Sequence, residues 1–392
     1  MQEGQRASHP AAPGIAARAM PPIALAAYTL VTRVFFHGPL YFGDGPQHLR
    51  SIVDGAYIIQ PPGYWLFNRV AGMVVDPLLG ISDINILSSV LGVVVFYYTA
   101  LYFAPRKLAF IAALTYSCIF YLWFSGEIHS TYATQALFPV AVFHALLRYE
   151  KRATKWRLVY AAILFSIGAG LRPSDGMFLL PMILYYCATR LSWRRAVILL
   201  SLIFLLCLIW IDPTLKAFHQ APGGIPGAIL SMRQVALQKS IIYGLGSAWL
   251  ANLARFTLPF LVAFWLVLPA SLLTVKMRNQ DWRIRMLVLW IVPGSVLLAL
   301  CLTPGAPSLS FLSAPVLLLA VGAPRRMFMT ALWNAAFFLG FSPLPSRYLA
   351  INAWNCYAGQ YTRYGIEHQW QPSLSALQGT SSIAPARSKP KH

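Results

Sequence analysis

The chain has 392 residues, of which 58% are hydrophobic and only 11% are charged, and its mean hydropathy is +0.59. Because a soluble domain usually has about 25% charged residues, this composition excludes an ordinary soluble protein and indicates a polytopic membrane protein. The formal net charge of +20 is dispersed over short runs of Lys and Arg, not gathered on one basic face, which argues against a nucleic-acid partner.

Apolar runs that are long enough to cross a bilayer, or slightly shorter, occur at about eleven places along the chain. In chain order the predicted spans are 16–36, 84–104, 107–125, 130–147, 158–171, 176–189, 196–211, 256–275, 286–302, 309–322 and 327–341. The sequence therefore predicts an all-α polytopic fold with one transmembrane domain over residues 1–341.

Basic residues follow every second predicted span, in the connections Arg106-Lys107, 148–157, 190–195, 276–285 and Arg325-Arg326. By the positive-inside rule these connections face the cytoplasm, together with the N-terminus. Of the 11 Asp and Glu residues, only Glu3, Glu150 and Asp281 fall on that side. We therefore expect the remaining acids and the C-terminus on the outer side. The compact organisation without a soluble domain favours a bacterial inner membrane.

Three longer pieces lie on the predicted outer side. The first, 37–83, includes the amphipathic stretches 64–67 and 70–75, which predict helices in the membrane interface. The second, 212–255, has a Pro- and Gly-rich turn followed by an amphipathic run with Lys239, and we expect it to form a lid over a site. The third, the tail 342–392, is rich in Ser, Ala, Pro and basic residues from about 373, which predicts disorder.

Ionisable side chains are concentrated in three of the predicted outer connections. The first outer piece carries Asp44, His48, Arg50 and Asp54; the turn at 125–130 carries Glu127 and His129; and the turn at 171–176 carries Arg172 and Asp175. A carboxylate near a hydroxyl can act as a general base, and Arg or Lys can stabilise a departing phosphate. The opposing interpretation is structural: Asp44 and Asp54 suit turns, and Arg172 suits a headgroup contact at a helix end.

Five segments in roughly the first 180 residues resemble one enzyme superfamily. They are Gly43-Asp44, Asp54-Gly55, Pro61-Pro62-Gly63-Tyr64, the stretch 125–132, and Leu171-Arg172-Pro173. In this order they resemble the membrane-embedded glycosyltransferases of the C-type (GT-C) superfamily, in particular the protein mannosyltransferase and lipid A aminoarabinose transferase-like group. Gln60 departs from the pattern, since many members have His before Pro-Pro.

The resemblance implies transfer of a hexosyl or mannosyl group from a polyprenyl-phosphate carrier to a hydroxyl of a glycan, lipid or protein acceptor on the outer face. It implies that Asp44 is the general base or orients the acceptor, and that Arg172 faces the lipid-linked phosphate. We expect Arg50 and Lys239 to assist Arg172, and Glu127 with His129 to bind sugar or acceptor. Asp54, His48 and Asp175 complete the predicted substrate-binding set.

Asp44, Glu127 and His129 also offer oxygen and imidazole ligands of the kind that suits Mg or Mn. Their spacing is not specific for a metal, and the resembling group generally works without one, so we predict no metal and no cofactor beyond the lipid-linked donor.

Two alternatives remain open at this stage. One is a transporter or flippase for a lipid-linked or anionic solute, whose ionisable residues would line a pathway. The other is a member of the same superfamily that binds the carrier lipid without turnover.

Overall fold

The computed structural model describes residues 15–35, 48, 52, 64–74, 77–127, 131–220, 223–227, 229–230, 233, 281–301 and 310–341. Within these ranges the regular secondary structure is entirely helical. The longer helices are α1 (Ile15–Phe35), α2 (Tyr64–Ala71), α3 (Pro77–Ala100), α4 (Arg106–Cys118), α5 (Phe120–Glu127), α6 (Tyr132–Lys151), α7 (Lys155–Leu171), α8 (Pro173–Arg190), α9 (Trp193–Gln220), α10 (Trp282–Cys301), α11 (Ser313–Gly322) and α12 (Pro324–Phe341).

Each predicted span that falls on described residues coincides with a helix, except that 107–125 is divided between α4 and α5 at Ile119. In the predicted lid 212–255, residues 212–220 continue α9. The rest of that lid apart from a few residues, the predicted span 256–275 and the tail 342–392 lie outside the described residues. The all-helical class is thus confirmed, whereas the number of eleven spans stays a prediction.

Two of the described helices are by themselves long and apolar enough to cross a membrane. They are Gly80–Ala100, with a mean hydropathy of 1.6, and Trp193–Lys216, with a mean hydropathy of 2.5. Other helices are shorter, such as α7 with 17 residues and α11 with 10 residues. Only 17% of the apolar window in α9 is buried, so this helix presents an apolar face to its surroundings, as a helix in contact with lipid does.

The interior of the bundle is built from α3, α6 and α7. Helix α6 packs between α3 and α7, α1 lies on α3, α9 on α7, and α10 on α8. Aromatic side chains fill the space between the helices: the rings of Phe96 and Tyr116 stack at 4.3 Å, and those of Phe143 and Trp290 lie 5.7 Å apart. This packed interior leaves polar contacts to the two ends of the bundle.

At one end, called the basic end here, the connections that carry Lys and Arg meet. Arg190 donates to Glu150 at 2.9 Å, and Tyr186 donates to the same carboxylate at 3.0 Å. Arg283 donates to the carbonyl of Tyr102 at 2.7 Å, and the ammonium group of Lys151 lies 4.6 Å from the ring of Tyr102. Three of the predicted cytoplasmic connections, 148–157, 190–195 and 276–285 through Arg283, therefore meet at one end of the bundle.

At the opposite end, called the acidic end here, α2 packs on the start of α3 and the end of α7. Phe67 and Ala71 of α2 form a buried apolar cluster with Ile81 and Leu171. The sequence predicted helices over 64–67 and 70–75; the structure has one helix that ends at Ala71, followed by a turn at 72–74. The first predicted outer piece is therefore anchored to the body of the bundle through α2.

Asp281 caps α10 at the basic end. Its Oδ1 accepts the backbone N–H of Arg283 at 2.9 Å, and its carboxylate pairs with the Arg283 guanidinium. Burial raises the pKa of Asp281, but the hydrogen bonds from the Arg283 side chain and backbone outweigh it, so the pKa is lowered below its ordinary value. The ionised form is thereby stabilised in the folded state.

We expect Asp281→Asn to lower the melting temperature at about pH 7, because the amide keeps a capping oxygen but loses the charge. A group with a depressed pKa stabilises the fold above its unfolded pKa and loses this effect as the pH falls through the folded pKa, so the difference from wild type should begin to shrink at about pH 4 and vanish below the folded-state pKa. Thermal unfolding in detergent across this pH range measures the difference in melting temperature between Asp281→Asn and the wild type. Asp212→Asn is the control, since Asp212 is 65% exposed in its pair with Lys216 and should show no such dependence. A difference that is constant with pH contradicts the assignment.

Candidate functional site

The acidic end brings together the first outer piece and the turn between α7 and α8. Leu171 packs in the same cluster as Phe67 of α2, and the next residue is Arg172. Phe138 of α6 packs against this cluster as well. In the structure, α2 of the first outer piece and the turn at Arg172 therefore lie side by side.

His48 attaches the first outer piece to α2. Its side chain is fully buried, and Nδ1 lies 2.9 Å from Oδ1 of Asn68 on α2. Because an amide oxygen only accepts, Nδ1 is the donor in this hydrogen bond. The His48 ring also meets the Phe67 ring edge-on at 5.4 Å. These contacts give His48 a role in holding the loop on α2.

Arg172 occupies the junction of α7 and α8 and is half-buried. Its N–H donates to the carbonyl of Gly168 at 3.0 Å, and its carbonyl accepts the N–H of Asp175 at 3.0 Å. Pro173 at the first position of α8 suits this site, since a helix does not use that N–H. The guanidinium is therefore carried by a backbone that is fixed on both sides.

Asp175 is buried in the first turn of α8. Ser310 donates its hydroxyl to Asp175 Oδ1 at 2.6 Å, and the carbonyl of Ser310 accepts the indole N–H of Trp290 at 2.9 Å. Asp175 thus joins α8 to the segment that leads into α11, next to the turn that carries Arg172.

Glu127, the last residue of α5, pairs with Arg33 of α1. Arg33 Nη1 lies 3.7 Å from Glu127 Oε1, and both side chains are fully buried. Arg33 Nη2 donates to the carbonyl of Ser117 at 2.6 Å, and its guanidinium lies 5.9 Å from the centre of the Phe338 ring. Arg33 therefore connects α1 with α4, α5 and α12 at one point.

Sequence reasoning placed Arg33 inside the first span and did not single it out. The signal was present, because a charged side chain within a membrane segment is a functional candidate by default. Asn85 was missed in the same way inside the span 84–104. Its amide donates to the carbonyl of Ser125 and accepts the N–H of Ala133 at 3.0 Å, so it holds both sides of the α5–α6 connection together.

The remaining predicted site residues lie outside the described residues. They are Asp44, Arg50, Asp54, His129 and Lys239. Among the residues that are described, no three His, Cys, Asp or Glu side chains form a group that would hold a metal ion. Their predicted roles, and the predicted independence from metal, stay predictions.

Comparison with solved structures identifies the fold. No model of a known protein family matches the chain, and no curated protein is similar to it in sequence. Among solved structures, ArnT from Cupriavidus metallidurans bound to undecaprenyl phosphate has a TM-score of 0.61 and 14% identity, with 83% of this chain and 64% of ArnT covered. The Archaeoglobus fulgidus oligosaccharyltransferase in the apo form has a TM-score of 0.53 and 12% identity, with 95% of this chain and 59% of that enzyme covered.

The chain thus spans about three fifths of the length of the structures that it resembles. Both neighbours have the GT-C fold, and at 12–14% identity the likenesses show only that this chain shares that fold. Two of the described helices are long and apolar enough to cross a membrane, which agrees with the apolar composition of the chain. No narrower family follows from these likenesses.

Gly126 provides a test of the packing around Glu127. A Cβ at this position would collide with Ser89 Oγ and with the side chain of Arg33, the nearest Arg33 atoms lying 2.9 Å away. We expect Gly126→Ala to lower stability by about 1–3 kcal/mol, as overpacking does, measured by thermal unfolding in detergent.

Because Ser89→Ala removes the closest atom, the double variant Gly126→Ala/Ser89→Ala should recover part of the loss. Gly92→Ala is a matched control, since a Cβ there would meet only ordinary contacts at 3.7 Å or more. Equal stability of Gly126→Ala and Gly92→Ala would show that α1 and α3 do not close on Gly126 as described.

Proposed function

We propose that this protein is a glycosyltransferase that moves a sugar from a polyprenyl-phosphate carrier to an acceptor hydroxyl at the acidic end of the bundle. The observation that carries the proposal is the likeness to ArnT over 83% of the chain, because that structure is bound to undecaprenyl phosphate. The likeness to an oligosaccharyltransferase supports the same class of reaction. The acidic end lies on the outer face of a bacterial inner membrane in this proposal, and the basic end faces the cytoplasm.

The reaction requires one group at the bond that forms and another at the bond that breaks. The acceptor oxygen forms a bond to the anomeric carbon while the bond from that carbon to the phosphate oxygen breaks, with inversion. Asp44 takes the proton of the acceptor hydroxyl. A carboxylate does this effectively only as the hydroxyl oxygen bonds to the anomeric carbon in the transition state. The departing polyprenyl phosphate gains one negative charge, so a fixed cation beside it stabilises the transition state more than the bound donor.

Arg172 is suited to hold the departing phosphate. Its backbone is fixed between α7 and α8, and the N-terminus of α8 adds a partial positive charge at the same place. The packing of Leu171 against Phe67 places this turn beside the outer piece that carries Asp44 along the chain. Arg50 and Lys239 are proposed as further contacts to the phosphate.

Three of the other predicted residues are buried side chains with a structural partner. His48, Glu127 and Asp175 are buried and hold the site together through Asn68, Arg33 and Ser310. Their burial favours positioning over direct contact with sugar. Direct contacts to the hexosyl or mannosyl group and to the glycan, lipid or protein acceptor are therefore assigned to His129 and Asp54. No metal takes part in this proposal.

Asp44→Asn should abolish transfer of label from radiolabelled polyprenyl-phosphate sugars in membranes that contain the protein. We expect the rate to fall by about 10²–10⁴, the usual contribution of a general base. Asp83→Asn is the control, because Asp83 is an exposed acid in the first turns of α3 at the same end. Its rate should equal that of the wild type.

An Asp44→Asn variant with the wild-type rate would remove Asp44 from the mechanism. Folded wild-type protein that transfers label from no donor would overturn the transferase assignment. Binding of the carrier lipid without transfer would then favour the non-catalytic member, and movement of the lipid across vesicles would favour the flippase.

Arg172→Gln should lower the transfer rate by about 10²–10³ at saturating donor, since a fixed charge that stabilises the transition state is lost. Arg172→Lys should restore only part of the rate, because an ammonium group does not reproduce the planar fork of donors. Arg69→Gln is matched to it, since Arg69 is an exposed arginine on α2 at the same end, and it should transfer normally. Equal losses at Arg172 and Arg69 would point to a general effect of surface charge instead.

A further inference from the structure

The pair Arg33–Glu127 lies where two outer connections leave the bundle. Arg33 is two residues before the end of α1 at Phe35, and Glu127 is the last residue of α5. The chain after α1 leads to Asp44, and the chain after α5 leads to His129. A contact between these two helix ends therefore constrains the starting points of both connections.

This pair is incompletely hydrogen-bonded. In the part of the chain that the structure describes, neither carboxylate oxygen of Glu127 has a hydrogen-bond partner, and the same holds for Arg33 Nε, Ser89 Oγ and Thr29 Oγ1. The single contact of 3.7 Å is longer than a charge-assisted hydrogen bond. A buried ion pair repays its desolvation only when its geometry is good and its remaining polar atoms are satisfied. Stability alone therefore does not account for a pair of this kind.

The basic end has a comparable ion pair with the opposite properties, since it is short, fully hydrogen-bonded and partly exposed. Arg190 and Glu150 are 2.9 Å apart, and their side chains are 38% and 22% exposed. Glu150 also accepts from Tyr186, so its oxygens are satisfied. That pair is open to solvent, and it connects α6 to α8 at the end away from the proposed chemistry.

We propose that Arg33 is a positioning residue of the transfer reaction. Through Glu127 and the carbonyl of Ser117, it fixes the outer ends of α1, α4 and α5 against one another. The loop that carries Asp44 and the connection that carries His129 then start from a fixed separation. This inference rests on the proposed function for its kinetic readout only, because the placement of the loop is measured independently.

The double variant Arg33→Met/Glu127→Met removes both charges and keeps the site filled with apolar atoms. Its melting temperature should lie above those of both single variants, because no uncompensated charge is left buried, but below the wild type, because the Ser117 carbonyl loses its donor. The single variants Arg33→Met and Glu127→Met should each melt lower. In the double variant, kcat should fall by about 10-fold to 10²-fold, with the KM for the donor within threefold of wild type, since a misplaced general base slows the chemical step.

Hydrogen–deuterium exchange measures the placement of the loop without turnover. Peptides from 36–47 should exchange faster in the double variant, while peptides from α6 and α7 keep the wild-type exchange. Glu150→Gln/Arg190→Gln is the control, with wild-type exchange in 36–47 and a wild-type rate. Arg33→Lys keeps the charge near Glu127 but has only one donor group to share between it and Ser117, and it should give a smaller change in the same direction.

A double variant with the wild-type rate and wild-type exchange in 36–47 overturns the proposal and makes the pair a structural one. A double variant that does not accumulate as folded protein also overturns it, because the pair would then be required for stability, unless Arg33→Lys folds and shows the faster exchange. If the wild-type protein transfers no label from any donor, the proposed function fails, but the exchange of 36–47 still decides whether Arg33 positions the loop.

Discussion

In a hydrocarbon environment every backbone N–H and C=O group needs a partner within the protein, and this requirement shapes the whole chain. Helices satisfy it along their length, but each helix end leaves four N–H or four C=O groups without an intrahelical partner. The protein meets this need at the ends of its bundle with side chains. Arg33 donates to the carbonyl of Ser117 at the end of α4, and Asn85 bridges the backbone on both sides of the α5–α6 connection. The polar residues that close helix ends are therefore the ones next to the candidate site.

The two ends of the bundle solve this problem differently. At the basic end, ion pairs such as Arg190–Glu150 are partly exposed and solvated on one side. They therefore contribute little to stability, and solvent screens the repulsion among the many Lys and Arg side chains around them. At the acidic end, Arg33–Glu127 and Asp175–Ser310 are buried, where an unmet charge is costly. A buried polar contact is harder to rearrange than an exposed one. The end with buried contacts is thus the better place for a reaction that requires a fixed base and a fixed phosphate contact.

The helices of this protein were predictable because their apolar composition is a local property of the sequence. The division of the span 107–125 was not, since neither Pro nor Gly stands at Ile119. The Ser117 carbonyl next to this break accepts a hydrogen bond from Arg33, which lies 84 residues earlier in the chain. The ionisable residues at 125–130 and 171–176 indicated helix ends: α5 ends at Glu127, and α7 meets α8 at Arg172. Arg33 and Asn85 were missed, because each lies in an apolar segment and its partner is known only once the helices are packed.

The same reasoning favours a candidate base in the first outer piece over one inside a span. A helix in the membrane has its carboxylates buried among apolar side chains, where ionisation is opposed, whereas a base must ionise to accept a proton. Asp44 follows α1 in the sequence and belongs to the first outer piece, where the proposed function requires contact with water and acceptor. A residue between two spans keeps its position only if the chain is held on both sides of it. His48 is held by Asn68 of α2, and the start of the loop is held through Arg33 at the end of α1. In the proposed function the base needs access to the acceptor, and the buried contacts of Arg33 and His48 hold the chain before and after it.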